Sequence, residues 1–111
     1  MNPPRIQVLV FEALQANAGA DFVRQLVEAF ADEAPTLVEQ LQRAAAAGDT
    51  ETFETTAHSL KSNGVAFGAT RLADLASRLE WQGLAAGGDA IDELRAELAA
   101  VVPGLRVLAR H

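Results

Sequence analysis

Several features are scarce in this chain, and each absence excludes a class of structure. The 111 residues contain no cysteine, which excludes disulfide bonds and thiolate metal sites and is compatible with a reducing cytoplasm. The chain has nine basic and fifteen acidic residues, and its net charge of −6 argues against nucleic acid as a main partner. No apolar run approaches the roughly 20 residues of a membrane span. The beginning of the chain lacks a basic stretch followed by an apolar one, so we expect no signal peptide.

Resident cofactors are also not expected. The two histidines lie more than 50 residues apart and match no metal-ligand spacing. The chain has no glycine-rich nucleotide loop and no compact acidic cluster typical of a magnesium site. An enzyme with its own ATP or metal site is therefore not indicated.

The abundant residues favour one helical domain. Half of the chain is hydrophobic, which is enough for a packed core, and only 5% is aromatic. Alanine and leucine dominate, and both have high helix propensity. The length fits a single domain over residues 1–111.

The first half of the sequence predicts a short helix and then a long one. Pro3 and Pro4 can open a helix, because proline is tolerated in the first turn, and this helix should stop near Gly19. A second helix is predicted from about 20 to 47, kinked at Pro35, where no turn residue accompanies the proline. Its apolar stripe is expected to begin with Phe22, Leu26, Ala29 and Phe30.

The second half predicts three more helices. Gly48 and Asp49 form a stop and an N-cap, and a helix should follow from about 50 to 67. Thr70 is a candidate cap for the next helix, and Gly87-Gly88-Asp89 marks a further break and cap. Pro103 should kink or end the last helix. Short connections between amphipathic helices imply antiparallel neighbours, so we predict an all-α, up-down four-helix bundle with an additional short N-terminal helix.

The segment Ala57–Gly68 is the most informative part of the chain. A helix turns about 100° per residue, so His58, Lys61, Ser62 and Val65 share one stripe. A different stripe can face a core and consists of Phe53, Ala57, Leu60, Gly64 and Phe67. An exposed imidazole beside a cation suits a histidine that carries an anion while a partner docks on it.

These residues resemble the histidine-containing phosphotransfer (HPt) domain family. The resemblance rests on His58-x-x-Lys61, on small residues at 62 and 64, and on Gly68 ten positions after the histidine. It covers about residues 6 to 100, through Phe30–Pro35, Ala47–Asp49, Gly68–Leu72 and Leu79–Glu80. The commonest family pattern has glycine directly after the lysine, where this chain has the small residue Ser62.

The resemblance implies a phosphorelay carrier. His58 would accept a phosphoryl group from the aspartate of a response-regulator receiver domain and pass it to another receiver. Glu80 is the candidate acceptor for the second imidazole proton, and Lys61 would offset phosphate charge. Ser59, Ser62, Gly64 and Val65 would form the docking face. The family implies no cofactor in the chain itself, and the Mg²⁺ would be held by the receiver.

Alternatives to this assignment remain open at this stage. The chain could be the phosphoacceptor domain of a larger histidine kinase, or a helical adaptor that carries no phosphate. Lys61 and Glu80 could be ordinary surface charges, and Ser62 and Gly64 could be close-packing positions between helices. We expect a cytoplasmic monomer, either stand-alone or part of a membrane-anchored hybrid sensor histidine kinase.

Overall fold

The computed structural model describes residues 4–110. Five α-helices follow one another: α1 (Val8–Ala18), α2 (Ala20–Ala47), α3 (Thr50–Phe67), α4 (Thr70–Gln82) and α5 (Gly87–Ala109), with a short 3₁₀-helix (Gly83–Ala86) before α5. Helices α2 to α5 form a closed bundle in which α3 packs on α2 and α4, and α5 packs on the same two helices. The short helix α1 lies against α2 and α3. The described residues contain no β-strand, and the predicted all-α bundle with a short N-terminal helix is confirmed.

Glycines end helices α2 and α3. Gly48 after α2 and Gly68 after α3 both adopt the left-handed conformation, with φ of 69° and 74°. Asp49 then caps α3, since its side chain accepts a hydrogen bond from the Thr52 amide at 3.1 Å. These local signals explain why α2 and α3 begin and end where the sequence predicts.

Gly68 also joins α1 to the end of α3. The Gln7 amide donates a hydrogen bond to the Gly68 carbonyl at 2.7 Å. A Cβ atom at position 68 would lie 2.8 Å from the Gln7 oxygen and 2.9 Å from the Val10 Cβ. Glycine is therefore required here by both its conformation and its neighbours.

The N-terminal expectations need correction. Helix α1 begins at Val8 and not at the prolines: Pro4 lies outside the helix, and Pro3 is outside the described residues. Phe22 is 52% exposed and does not open the apolar stripe of α2, which instead begins with Val23 and Val27, both fully buried. The buried face is therefore rotated relative to the predicted stripe, in which Leu26 is half-buried, Ala29 is exposed and only Phe30 is buried.

Two further expectations are corrected, at Thr70 and Asp89, and one of the two alternatives at Pro103 is excluded. Ala69 occupies the N-cap of α4, so Thr70 is its first helical residue and not its cap. Asp89 lies within the first turn of α5, which already begins at Gly87. The last helix does not end at Pro103, because Leu105 and Ala109 beyond it are buried. Burying a leucine contributes about 2 kcal/mol, which offsets much of the cost of a missing backbone hydrogen bond. His111 lies outside the described residues.

The core next to α1 is aromatic. The Phe67 ring lies 5.6 Å from that of Phe30 and 6.4 Å from that of Phe11, between ring centroids. All three rings are at least 97% buried. This cluster fixes the C-terminal end of α3 and therefore the rotation of that helix in the bundle.

Candidate functional site

Helix α3 places the histidine on the outside of the bundle. Ala57 and Leu60 on either side of it are completely buried, and they hold the rotation of the helix. His58 therefore points away from the core, and 61% of its side chain is exposed. A partner protein can reach this imidazole without any change in the bundle.

Close packing between α3 and α4 brings a carboxylate to the imidazole. The two helices are antiparallel, and Gly64 faces Ala73 so tightly that a Cβ atom at position 64 would lie 2.9 Å from the Ala73 nitrogen. Two turns along the same helix pair, the Oε2 atom of Glu80 lies 2.7 Å from Nδ1 of His58. The contact is short enough for a strong, charge-assisted hydrogen bond.

Glu80 contacts two side chains, His58 and Lys61. Its other oxygen, Oε1, accepts a hydrogen bond from Nζ of Lys61 at 3.4 Å. Partial burial by itself raises the pKa of Glu80, but the hydrogen bonds from His58 and Lys61 outweigh it and hold the pKa below its ordinary value. The carboxylate is therefore ionised at neutral pH and can only accept hydrogen bonds.

This geometry sets the tautomer of the imidazole. An ionised carboxylate beside Nδ1 requires that Nδ1 carry a proton and donate it to Glu80. In a neutral ring the lone pair is then on Nε2. Among residues 4–110 we find no hydrogen bond to this second nitrogen. The arrangement leaves the distal nitrogen free to act as a nucleophile.

The residues expected to form a docking face are not all at the surface. Ser59 and Ser62 are exposed, and Val65 is 60% exposed. Gly64 is buried against Ala73, so the expectation that it belongs to this face is corrected. The close-packing alternative describes Gly64 better, because its missing side chain serves the contact between α3 and α4.

Comparison with known proteins identifies the family. The sequence model of the Hpt domain matches residues 25–103, which is well over half of the chain. This chain belongs to the Hpt domain family. Family membership gives the coarse function, histidine phosphotransfer in two-component signalling, with response-regulator receiver domains as partners.

A solved Hpt structure has the same fold. The chain is similar to the crystal structure of histidine-containing phosphotransfer protein B (HptB) from Pseudomonas aeruginosa PAO1, with a TM-score of 0.79 and 24% sequence identity. The similarity covers 98% of this chain and 94% of that chain. No curated protein sequence matches this chain significantly. At this identity the structural comparison supports the fold of the Hpt domain, and the site rests on the geometry described above.

Trp81 is a large apolar residue at the surface of this Hpt domain, with 89% of it exposed. It follows Glu80 directly on α4, so its backbone lies beside the His58 site. The signal was present in the sequence, because two residues after the buried Leu79 a helix has turned by about 200°, away from the core.

Within residues 4–110, no three histidine, aspartate or glutamate side chains are grouped so that they could hold a metal ion. No helix in the described part of this Hpt domain is long and apolar enough to cross a membrane.

Proposed function

We propose that residues 1–111 form one phosphorelay carrier domain in which His58 receives a phosphoryl group from a receiver aspartate and passes it to a second receiver. The observation that supports this most strongly is the 2.7 Å contact between Nδ1 of His58 and Glu80 on an otherwise exposed imidazole. A histidine held through one nitrogen and exposed at the other fits a carrier better than an ordinary surface residue.

The proposed step is a direct exchange of bonds at phosphorus. Nε2 of His58 attacks the phosphorus atom of the aspartyl phosphate, a P–N bond forms, and the P–O bond to the aspartate breaks. The aspartate leaves as a carboxylate, and the Nδ1 proton remains in its hydrogen bond with Glu80. Positive charge develops on the ring during the attack, and the Glu80 carboxylate stabilises it. Delivery to the second receiver is the reverse of this step.

Lys61 has a different role in the proposal. It lies one helical turn from His58, and 39% of its side chain is exposed. Its Nζ atom lies 3.4 Å from Oε1 of Glu80, the same carboxylate that contacts His58. We expect the ammonium group to offset the charge of the phosphoryl group on His58. Mg²⁺ would be supplied by the receiver.

The docking face in this proposal consists of Ser59, Ser62 and Val65, all exposed on α3. The serines are short and leave space for a receiver to approach His58, and Val65 supplies an apolar contact. Ser62→Trp should therefore block docking sterically. Undisturbed receiver binding by this variant would show that the receiver uses a different face.

A transfer experiment tests the assignment. The purified chain is mixed with a receiver domain labelled on its aspartate, alongside the variant His58→Gln. We expect acid-labile, base-stable label on the wild type and none on the variant, with unchanged circular dichroism. Label that persists on His58→Gln would refute the choice of this histidine.

The same assay distinguishes the alternative functions. Label that comes only from a histidine kinase and ATP would identify a phosphoacceptor domain of a kinase, and the hybrid sensor kinase would then be the donor. A chain that binds receivers but is never labelled would be an adaptor. We also propose that the chain acts as a monomer in the cytoplasm. Analytical sedimentation tests the monomeric state.

A further inference from the structure

A polar cleft runs along α4 from Thr70 to Arg78. It has a volume of about 440 Å³. Three of the nine basic residues in this acidic protein line it: Arg5, Arg71 and Arg78. Its remaining lining residues are Pro4, Thr70, Asp74 and Leu75. A concentration of cations in one cleft of a protein with a net charge of −6 requires an explanation.

A buried carboxylate organises two of these arginines. The side chain of Glu97 on α5 is only 3% exposed, and its two oxygens face two different guanidinium groups. Nε of Arg5 lies 2.8 Å from Oε2, and Nε of Arg71 lies 3.3 Å from Oε1. Both contacts use Nε, and within residues 4–110 no hydrogen bond uses the terminal nitrogens of either arginine. Those nitrogens can bind a ligand while both arginines keep their contacts with Glu97.

The third arginine is not engaged by Glu97. Arg71 and Arg78 are seven residues apart on α4, so they lie on the same side of the helix and about 10 Å apart along its axis. In the described part of the chain Arg78 forms no ion pair within 4 Å. The cleft therefore has an organised pair of guanidinium groups at one end and a free one at the other.

We propose that this cleft binds a small soluble diphosphate, or a molecule that carries one. The two phosphoryl groups of a diphosphate place oxygens at both ends of the cleft. A single carboxylate has only two oxygens, which lie in one plane. One phosphoryl group would bind Arg5 and Arg71, and the other Arg78. This site lies apart from His58 and does not depend on the phosphorelay function proposed above.

Asp74 distinguishes ligand binding from a purely structural role of the arginines. It lies on the same side of α4 between Arg71 and Arg78 and also lines the cleft. Its negative charge opposes an anion in the cleft. If the arginines served only to stabilise the fold, removing this charge would not create any affinity for anions.

The test uses inorganic pyrophosphate, without metal, and the full chain at constant ionic strength. Backbone amide signals are followed by NMR during the titration. We expect saturable shifts confined to Arg5 and to α4 between Thr70 and Arg78. Arg78→Gln should weaken binding by about tenfold or more, because it removes a charged hydrogen-bond donor. Asp74→Asn should strengthen it by about threefold or more.

Arg43→Gln is the matched control, since it removes the same charge from an arginine on α2 that is 82% exposed and outside the cleft. It should leave pyrophosphate affinity nearly unchanged. Three results would each overturn the proposal: shifts that do not saturate, equal losses for Arg43→Gln and Arg78→Gln, or no gain for Asp74→Asn. Circular dichroism of each variant separates these results from a failure to fold.

Discussion

Gly64→Ala tests whether the packing of α3 on α4 sets the geometry of His58, the proposed phosphoacceptor. The new Cβ atom would lie 2.9 Å from the nitrogen of Ala73 and 3.1 Å from its Cα. Both are backbone atoms, so neither can rotate away as a flexible side chain would. The two helices must therefore separate by a few tenths of an ångström, or α3 must rotate.

The expected loss of stability is the difference between two effects. Forcing a methyl group into a close-packed contact costs about 2–3 kcal/mol. Replacing a glycine inside a helix by alanine recovers about 1 kcal/mol. The net destabilisation is therefore about 1–2 kcal/mol. With a urea slope of about 1.5 kcal/mol per M, the unfolding midpoint should fall by about 1 M.

The same displacement should change the surroundings of the His58 imidazole. Glu80 is on the helix that moves, and its 2.7 Å contact with Nδ1 of His58 has little room to lengthen. We expect the ¹⁵N signals of the ring to move toward a mixture of tautomers, and phosphotransfer to slow. Folded and unfolded molecules give separate ring signals, so the signals of the folded form separate a change at the site from a loss of stability.

Gly88→Ala is the control for this experiment. It adds the same methyl group to α5, where no atom lies within 4 Å of it. This variant should be unchanged or more stable by about 0.5 kcal/mol. If Gly64→Ala is as stable as Gly88→Ala and its ring signals match the wild type, helix contact at Gly64 does not control the site.

Three other substitutions have definite expected outcomes. Gly68→Ala should cost about 2–3 kcal/mol in urea unfolding, more than Gly64→Ala, because its φ of 74° and the carbonyl of Gln7 both exclude a side chain; an equal or smaller loss would contradict this. Glu80→Gln should remove a pH-dependent stabilisation: the folded pKa of Glu80 is lowered from 4.5, so the contribution is complete above that pH and disappears as the pH falls through the folded pKa. Wild type and Glu80→Gln should converge in acid, and a gap that stays constant from pH 7 downward would show that the charge is not responsible. Lys61→Gln should slow transfer several-fold and change stability by less than about 0.5 kcal/mol, since the ion pair is partly exposed; an unchanged transfer rate would leave Lys61 a surface charge.

Local signals in the sequence determined the helices that carry the site. Gly48, Asp49 and Gly68 are sufficient to place both ends of α3, because glycine in the left-handed conformation and an aspartate cap act within a few residues. The same kind of reasoning left two outcomes open at Pro103, a kink or an end of the helix, and α5 does not end there. There the burial of Leu105 and Ala109, a property of the whole bundle, outweighed a local signal to stop.

The residues of the site also differ in whether local or tertiary information places them. The helical period alone puts Lys61 next to His58, since both belong to one helix. Glu80 is different, because its distance from His58 depends on how α4 is rotated and shifted against α3. No periodicity within a single helix contains that information. The sequence indicated Glu80 through the family resemblance and through its position directly after the core residue Leu79.

Gly64 shows how the two kinds of information can conflict. Its position in the helical period already placed it on the buried stripe with Ala57 and Leu60, whereas the resemblance suggested the docking face. The structure agrees with the period, since Gly64 is buried. A small residue in this motif can therefore act on the His58 site through helix packing. By letting α4 approach, Gly64 brings Glu80 within hydrogen-bonding distance of a histidine that itself lies on the surface.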